Sequence, residues 1–297
     1  MVKKIFSSGY IFLLPAFLFF LVFIVYPIVF VVAGSFFKWS TLSEITFVGL
    51  GNFIELMRDR VFGITMKNTV LWFLITIFVQ MAIGFFLAYV IEEKLTMGKT
   101  FFRTLFIIPV VTSVVVIAIT WSNMYSPYNG LISNFLHKLG FKGVFNFLGD
   151  VHNVIFSLIA VNIFEWTGWS MVLYIAGISE IPIEMKEAAR IDGVSGFSLI
   201  RYIYLPVLSH VHKSLIMLGV IGSLQTFALI YTMTSGGPNS ASEMPGTYIF
   251  RTGFALQRMG YASAISTVIL LFTLAVTAFQ MIVLHSGNLS IKGDSAV

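Results

Sequence analysis

The stretch Val154-Ile-Phe-Ser-Leu-Ile-Ala-Val-Asn162-Ile-Phe-Glu165-Trp166-Thr-Gly-Trp169-Ser-Met-Val-Leu-Tyr-Ile-Ala-Gly-Ile178 decides what kind of protein this is. It is apolar over 25 residues, holds no proline and carries one formal charge, Glu165. As a helix it is long enough to cross a hydrocarbon layer of about 30 Å. A backbone in lipid has no water to bond to, so a run of this kind has to close its hydrogen bonds internally, as a helix.

Five other runs share the pattern: 10–34, 69–91, 104–125, 214–234 and 261–284, none of which contains Asp, Glu, Lys or Arg. Every formal charge other than Glu165 lies outside the six runs. The whole chain is 58% hydrophobic and 10% charged, with a mean hydropathy of +0.93. An average soluble domain is closer to one quarter charged. That excludes a disordered chain, a nucleic-acid binder and nearly every soluble enzyme. The expected fold is an all-α integral membrane protein of six transmembrane helices, forming one domain over residues 1–297. The first run follows Lys3 and Lys4 and is too long for a cleaved signal core, so it reads as an uncleaved helix. Pro15 and Pro27 are expected to kink it or mark its ends.

Six spans put both termini on one side. With the termini inside, segments 1–9, 92–103, 179–213 and 285–297 carry ten Lys and Arg, and the longer outer segments 35–68, 126–153 and 235–260 carry eight. The higher basic density favours cytoplasmic termini. The outer segments are long enough for short interfacial helices. Trp39, Trp121 and Tyr125 suit an interfacial aromatic belt. There is no cysteine, and none of the phosphate-binding, serine-hydrolase or zinc-peptidase patterns occurs. The five histidines lie outside the spans, where interfacial anchoring explains them better than a metal. No cofactor and no metal is expected.

The 179–213 segment is the most informative. It reads Glu180-Ile-Pro182-Ile-Glu184-Met-Lys186-Glu187-Ala188-Ala189-Arg190-Ile-Asp192-Gly193-Val-Ser195-Gly-Phe-Ser-Leu-Ile-Arg201-Tyr-Ile203-Tyr-Leu205-Pro206. Pro182 suits a helix start. Glu184 and Arg190 suit its dipole. Gly193 suits a left-handed stop. Ser195 can cap a second helix, which Pro206 limits. Ala188 and Ala189 make one side of the first helix small enough for close approach, and Glu187 with Arg190 can reach a charged partner. On these residues alone, an amphipathic connector lying on the membrane remains an equal reading.

Glu187-Ala188-Ala189, then Asp192-Gly193, then Ile203 and Leu205-Pro206 resemble the EAA signature of permeases in binding-protein-dependent ABC importers, with matching spacings. The resemblance extends to Leu14-Pro15, Phe47-Val48-Gly49-Leu50-Gly51-Asn52-Phe53, Phe102 to Pro109, Asn129 to Ile132, Gly236-Gly237-Pro238 and Gly260 to Ala264. It is similar to the maltose and glycerol-phosphate branch. Val194 and Gly196 stand where that branch often has Ala and a larger polar residue.

The resemblance implies a type I importer permease fold and a bacterial or archaeal cytoplasmic membrane with both termini inside. It implies that Glu187, Ala188, Ala189, Asp192, Gly193, Leu205 and Pro206 belong to a loop that docks on a cytoplasmic ATPase. It further implies a second, different permease, two ATPase subunits and an external substrate-binding protein, docked on outer segments 126–153 and 235–260. The chain itself is then not an enzyme. Transport would follow alternating access.

Glu165 is costly in a membrane unless it faces a cavity or a partner. A translocation path and an interhelical pair both satisfy it. Asn162, Glu165 and Trp169 share a helix face, with Trp166 at its edge. Aromatic faces stack on sugars, and carboxylate or amide groups bond hydroxyls. Ser223, Gln225 and Thr226, with Gly222 leaving room, make a comparable stretch in the fifth span. Both stretches resemble the sugar-lining regions of maltose-type permeases. A phosphate-bearing solute would want Lys or Arg in the spans, which have none; Arg103 and Arg251 at the rims keep that alternative open. A self-sufficient secondary transporter is the alternative from another class.

Overall fold

A computed structural model describes residues 10–40, 43–194 and 196–289. Among the described residues, four helices are long and apolar enough to cross a membrane: Phe12–Gly34, Arg60–Lys94, Val154–Ser179 and Met259–Ile282. Two bent helix pairs bring the number to six when each counts as one span. The chain divides into two compact units, one formed by residues 1–62 and 248–274, the other by 63–247 and 275–297.

The first unit begins with α1 (Tyr10–Phe20), a π-helical stretch Leu21–Val25 and α2 (Tyr26–Gly34). Pro15 sits inside α1, and Pro27 stands in the first turn of α2. Pro27 has no N–H for the turn before it, which fits a wider π turn at that point. A short hairpin follows, β1 (Phe37–Ser40) with β2 (Ser43–Phe47), pairing Phe37 with Phe47 and Lys38 with Thr46. The hairpin is an addition to the all-helical expectation. Gly49, at φ +54°, turns the chain into α3 (Gly51–Met57). Buried Asn52 donates to the carbonyls of Ser35 at 2.8 Å and Phe37 at 3.0 Å, tying α3 to the hairpin.

The second unit is built around α4 (Arg60–Tyr89, which begins in the first unit and continues as a π turn, Val90–Lys94) and the later helices. These are α5 (Lys99–Val111), α6 (Val114–Met124), α7 (Leu131–Lys138), α8 (Val154–Ser179) and α9 (Ile183–Ile191). After α9 come α10 (Phe197–Leu199), a π turn Ile200–Tyr204, α11 (Leu205–Val207), α12 (Ser209–Gln225) and α13 (Ala228–Met233). α14 (Pro245–Phe250) leads the chain back into the first unit, and the final helix, α15 (Met259–Leu289), belongs to that unit as far as Leu274 and to the second beyond it.

Two of the expected spans are not single rods. Run 104–125 is split into α5 and α6, which meet at 94°. Pro109 lies inside α5, and Thr112 is extended at φ −81°, ψ 144°, so the helix cannot run through. Run 214–234 breaks at Thr226 and Phe227, both outside helical geometry, before α13 resumes. A further bend of 66° separates Phe197–Val207 from Ser209–Gln225. Pro206 does not end its helix; the chain turns two residues later, at Leu208.

Along α8 the packing falls into three zones. Val154, Ile155, Leu158, Ile159 and Val161 enter one core with Trp72, Tyr125, Leu229 and Ile230. Met171, Tyr174, Ile175 and Ile178 enter another with Tyr89, Ala189, Leu199, Tyr204 and Leu208. Tyr125 therefore belongs to a core and not to an interfacial belt, and its Oη donates to the Ser157 carbonyl at 3.1 Å. Glycines allow the close approaches: a Cβ on Gly84 would lie 2.7 Å from Ser170 Cβ, and one on Gly168 would meet the Phe106 carbonyl. Small residues at helix contacts are the usual device where lipid gives no hydrophobic drive to associate.

Candidate functional site

The middle of α8, between its two packed ends, lines a cavity of about 550 Å³. α4 contributes Trp72, Thr76 and Gln80; α12 and the break after it contribute Gly222, Ser223, Gln225 and Thr226. All eight residues that the sequence singles out in spans four and five meet here: Asn162, Glu165, Trp166, Trp169, Gly222, Ser223, Gln225 and Thr226.

Their chemistry is uneven. Glu165 is 4% exposed, and its Oε2 is buried with no hydrogen-bond partner among the described residues. It is the only formally charged residue in the lining. Trp166 and Trp169 are 40% and 41% exposed, leaving aromatic surface open. Asn162 is held: Gln80 Nε2 donates to its side-chain oxygen at 3.1 Å and to its carbonyl at 3.2 Å. Ser223 and Thr226 donate their hydroxyls to the carbonyls of Gly219 at 2.7 Å and Gly222 at 3.0 Å, so toward the cavity they can only accept. Gln225 is exposed, with both amide functions available. A Cβ on Gly222 would meet nothing within 4 Å, which makes that position open space.

The break at Thr226–Phe227 lies in this lining. Irregular backbone at membrane depth is tolerated where it borders a cavity and not where it borders lipid. Gln80 was missed from sequence because it sits inside an apolar run. The available signal was Trp72, Thr76 and Gln80 at successive i,i+4 positions, which place three polar-capable side chains on one helix face.

At the other end, α9 carries the Glu-Ala-Ala triplet. Glu184, Glu187 and Ala188 are exposed, and Ile191 is 86% exposed. Ala189 points the other way: it is 6% exposed and packs in the chain's own core. The two alanines thus do not form one small face, since neighbours on a helix stand about 100° apart. Gly193 ends the helix at φ +75°. The Val194 N–H donates back to the Ala189 carbonyl at 2.9 Å, the long bond of a Schellman stop. Asp192 is exposed and Leu205 and Pro206 lie at the bend that leads into α12. The capping role read for Ser195 falls outside the described residues, as do Lys3 and Lys4.

Residues 80–285 match the family described as binding-protein-dependent transport system inner membrane component. The chain is 39% identical to the probable ABC transporter permease protein YurN of Bacillus subtilis (strain 168), over 94% of this chain and 96% of that one. It is 32% identical to the trehalose/maltose transport system permease protein MalF of Thermococcus litoralis, over 94% and 93% of the two chains. Among solved structures, a chain of a bacterial ABC transporter that imports the acidic polysaccharide alginate superposes with a TM-score of 0.81, covering 92% of this chain and 93% of that one at 24% identity. At that identity the likeness is one of fold.

Proposed function

Because the chain belongs to the family of binding-protein-dependent transport system inner membrane components, with the type I importer permease fold, we propose that it moves a neutral sugar or oligosaccharide into the cell. The observation that carries this reading is the cavity lining. It combines two open indoles, a buried carboxylate and the amides of Asn162 and Gln225, with no Lys or Arg. Indole faces cover the apolar faces of a pyranose ring, and carboxylate and amide oxygens accept from hydroxyls. An anionic solute would meet Glu165 with no compensating cation, and Arg103 is engaged by Glu92 at 2.5 Å. The name of the trehalose/maltose relative supports a neutral glycan.

The permease acts by alternating access. Its partners are a second, different permease, two cytoplasmic ATPases and an external binding protein; the ATP is hydrolysed outside this chain. The exposed face of α9, with Glu184, Glu187, Ala188 and Ile191, docks in an ATPase groove on the cytoplasmic side, where both termini also lie. Gly193 keeps α9 at a fixed angle to the segment leading into α12. The outer segments 126–153 and 235–260 receive the binding protein. The cavity is then the point that opens to one side and then the other.

Uptake and ATPase assays on Glu165→Gln and Trp169→Ala test the role of the cavity. Both variants are expected to insert and to hydrolyse ATP, with Trp169→Ala raising the apparent KM for the transported glycan and Glu165→Gln altering preference among glycans. Unchanged kinetics for every transported glycan would reduce Glu165 and Trp169 to packing residues.

A further inference from the structure

Resting on the reading of α9 as the segment an ATPase moves, we infer that Lys186 and Glu93 are a positioning pair that carries this movement from α9 into α4, a helix lining the cavity. α4 ends in two consecutive carboxylates with different partners. Glu92 accepts from Arg103 at 2.5 Å and lies 3.5 Å from Lys99, both on α5. Glu93, the next residue of the π turn, points to a different neighbour and accepts from Lys186 of α9 at 2.7 Å. The side chains of Lys186 and Glu93 are 18% and 14% exposed, so water screens them far less than it screens a surface pair.

The pair does not stand alone. Lys186 Nζ lies 5.6 Å from the centre of the Tyr204 ring. Tyr204 meets Tyr89 of α4 edge-on at 5.4 Å between centroids. Ala189, one helical turn beyond Lys186, enters the same core as Tyr89 and Tyr204. Lys186 and Ala189 therefore form the inward face of α9, opposite the exposed Glu184, Glu187 and Ile191. From Glu93 to Gln80, α4 runs about 20 Å, and Gly84 between them sits close against Ser170 of α8. A push on α9 reaches the Gln80–Asn162 contact along that rod.

This chain has no native cysteine, so one introduced thiol can be followed in it alone when the label is read on this chain's own band. Gly222→Cys, at an open position of the lining, reports cavity access through its rate of modification by a water-soluble maleimide. The rate is measured in the complete complex with its ATPases, partner permease and binding protein, once without nucleotide and once trapped with ATP and vanadate. With the pair intact, the two rates should differ severalfold. Lys186→Met and Glu93→Gln should each bring their ratio toward one while ATP hydrolysis continues. The exchange Lys186→Glu with Glu93→Lys should recover most of the nucleotide response. A response kept in both single variants, or not recovered by the exchange, overturns the inference. A wild-type pair that shows no nucleotide response overturns the importer reading itself, so the two failures are separable.

Discussion

Tyr174 on α8 and His212 on α12 meet with Oη 2.7 Å from Nδ1. The other ring nitrogen, Nε2, lies 3.2 Å from the Leu205 carbonyl oxygen, at the bend before α12. A carbonyl only accepts, so in the neutral ring Nε2 carries the proton and Nδ1 takes the tyrosine O–H. One imidazole thus ties α8, the Leu205–Pro206 corner and α12 together. His210, two residues earlier, faces Glu180 instead, at 3.7 Å.

Removing the hydroxyl leaves Nδ1 without its donor. Tyr174→Phe should therefore lower the stability of the purified protein by about 0.5–1.5 kcal/mol, read as a lower melting temperature in detergent. His212→Gln, which can still donate to Leu205, should lose less than His212→Leu. Equal melting of Tyr174→Phe and the wild type would contradict the arrangement.

Gly193 has φ +75° and open space around the position of a Cβ, so a substitution there is strained by its backbone and not by a clash. Gly193→Val should cost about 1–2 kcal/mol of local conformational energy. Gly193→Asn should be tolerated, because asparagine enters the left-handed region more readily. The expected result is membrane-inserted Gly193→Val with uptake lost or uncoupled from ATP hydrolysis, and substantial uptake by Gly193→Asn. Normal uptake by Gly193→Val would refute the need for the turn.

Gly168 and Gly222 make a contrasting pair. A Cβ on Gly168 would run into the Phe106 carbonyl, whereas one on Gly222 would meet nothing. Gly168→Val should cost at least about 1–3 kcal/mol through overpacking and lower the amount of folded protein recovered from membranes. Gly222→Val should be recovered normally while narrowing the cavity, so its defect should grow with the size of the solute. Recovery yields and size-graded uptake compare the two directly.

Asp59 lies outside the spans and anchors the start of α4. Its Oδ1 accepts from the N–H groups of Val61 at 2.7 Å and Phe62 at 3.3 Å, and its Oδ2 accepts from Tyr248 and from Tyr261. Partial burial pushes its pKa up, but the tyrosine and backbone bonds outweigh that and hold it below the ordinary 3.8. A depressed folded value means the stabilisation is present above the unfolded pKa and lost as pH falls through the folded one. Asp59→Asn should melt below the wild type at neutral pH, and the gap should close only as pH drops under 3.8. A gap independent of pH would show that the charge contributes nothing.

The spans were legible because lipid forces charge out of them, which leaves a pattern any reading of Val154 to Ile178 recovers. The break at Thr226–Phe227 is not legible, since Ser and Thr near a break look the same as Ser and Thr in a continuous membrane helix; the break at Thr112 has a signal in Pro109, but membrane helices also tolerate proline without breaking. The Glu-Ala-Ala triplet located α9, but sequence proximity hid that Ala188 and Ala189 face opposite surroundings. Composition alone makes Phe37 to Phe47 part of an outer segment and nothing more, though Phe-Lys-Trp-Ser and Ser-Glu-Ile-Thr-Phe alternate as strands do. Gln80 escaped notice because its partner, Asn162, is far away in the chain.

The central claim is that this chain, driven by ATP in the cytoplasm, passes a neutral glycan through the cavity at Glu165. The most direct measurement is accumulation of radiolabelled mono- to pentasaccharides by sealed proteoliposomes that hold the complete complex, with the binding protein added on one side. The account predicts accumulation only when ATP is on the side opposite the binding protein, for at least one neutral glycan and for no anionic one. Accumulation without ATP, or driven by an ion gradient in its place, would contradict it.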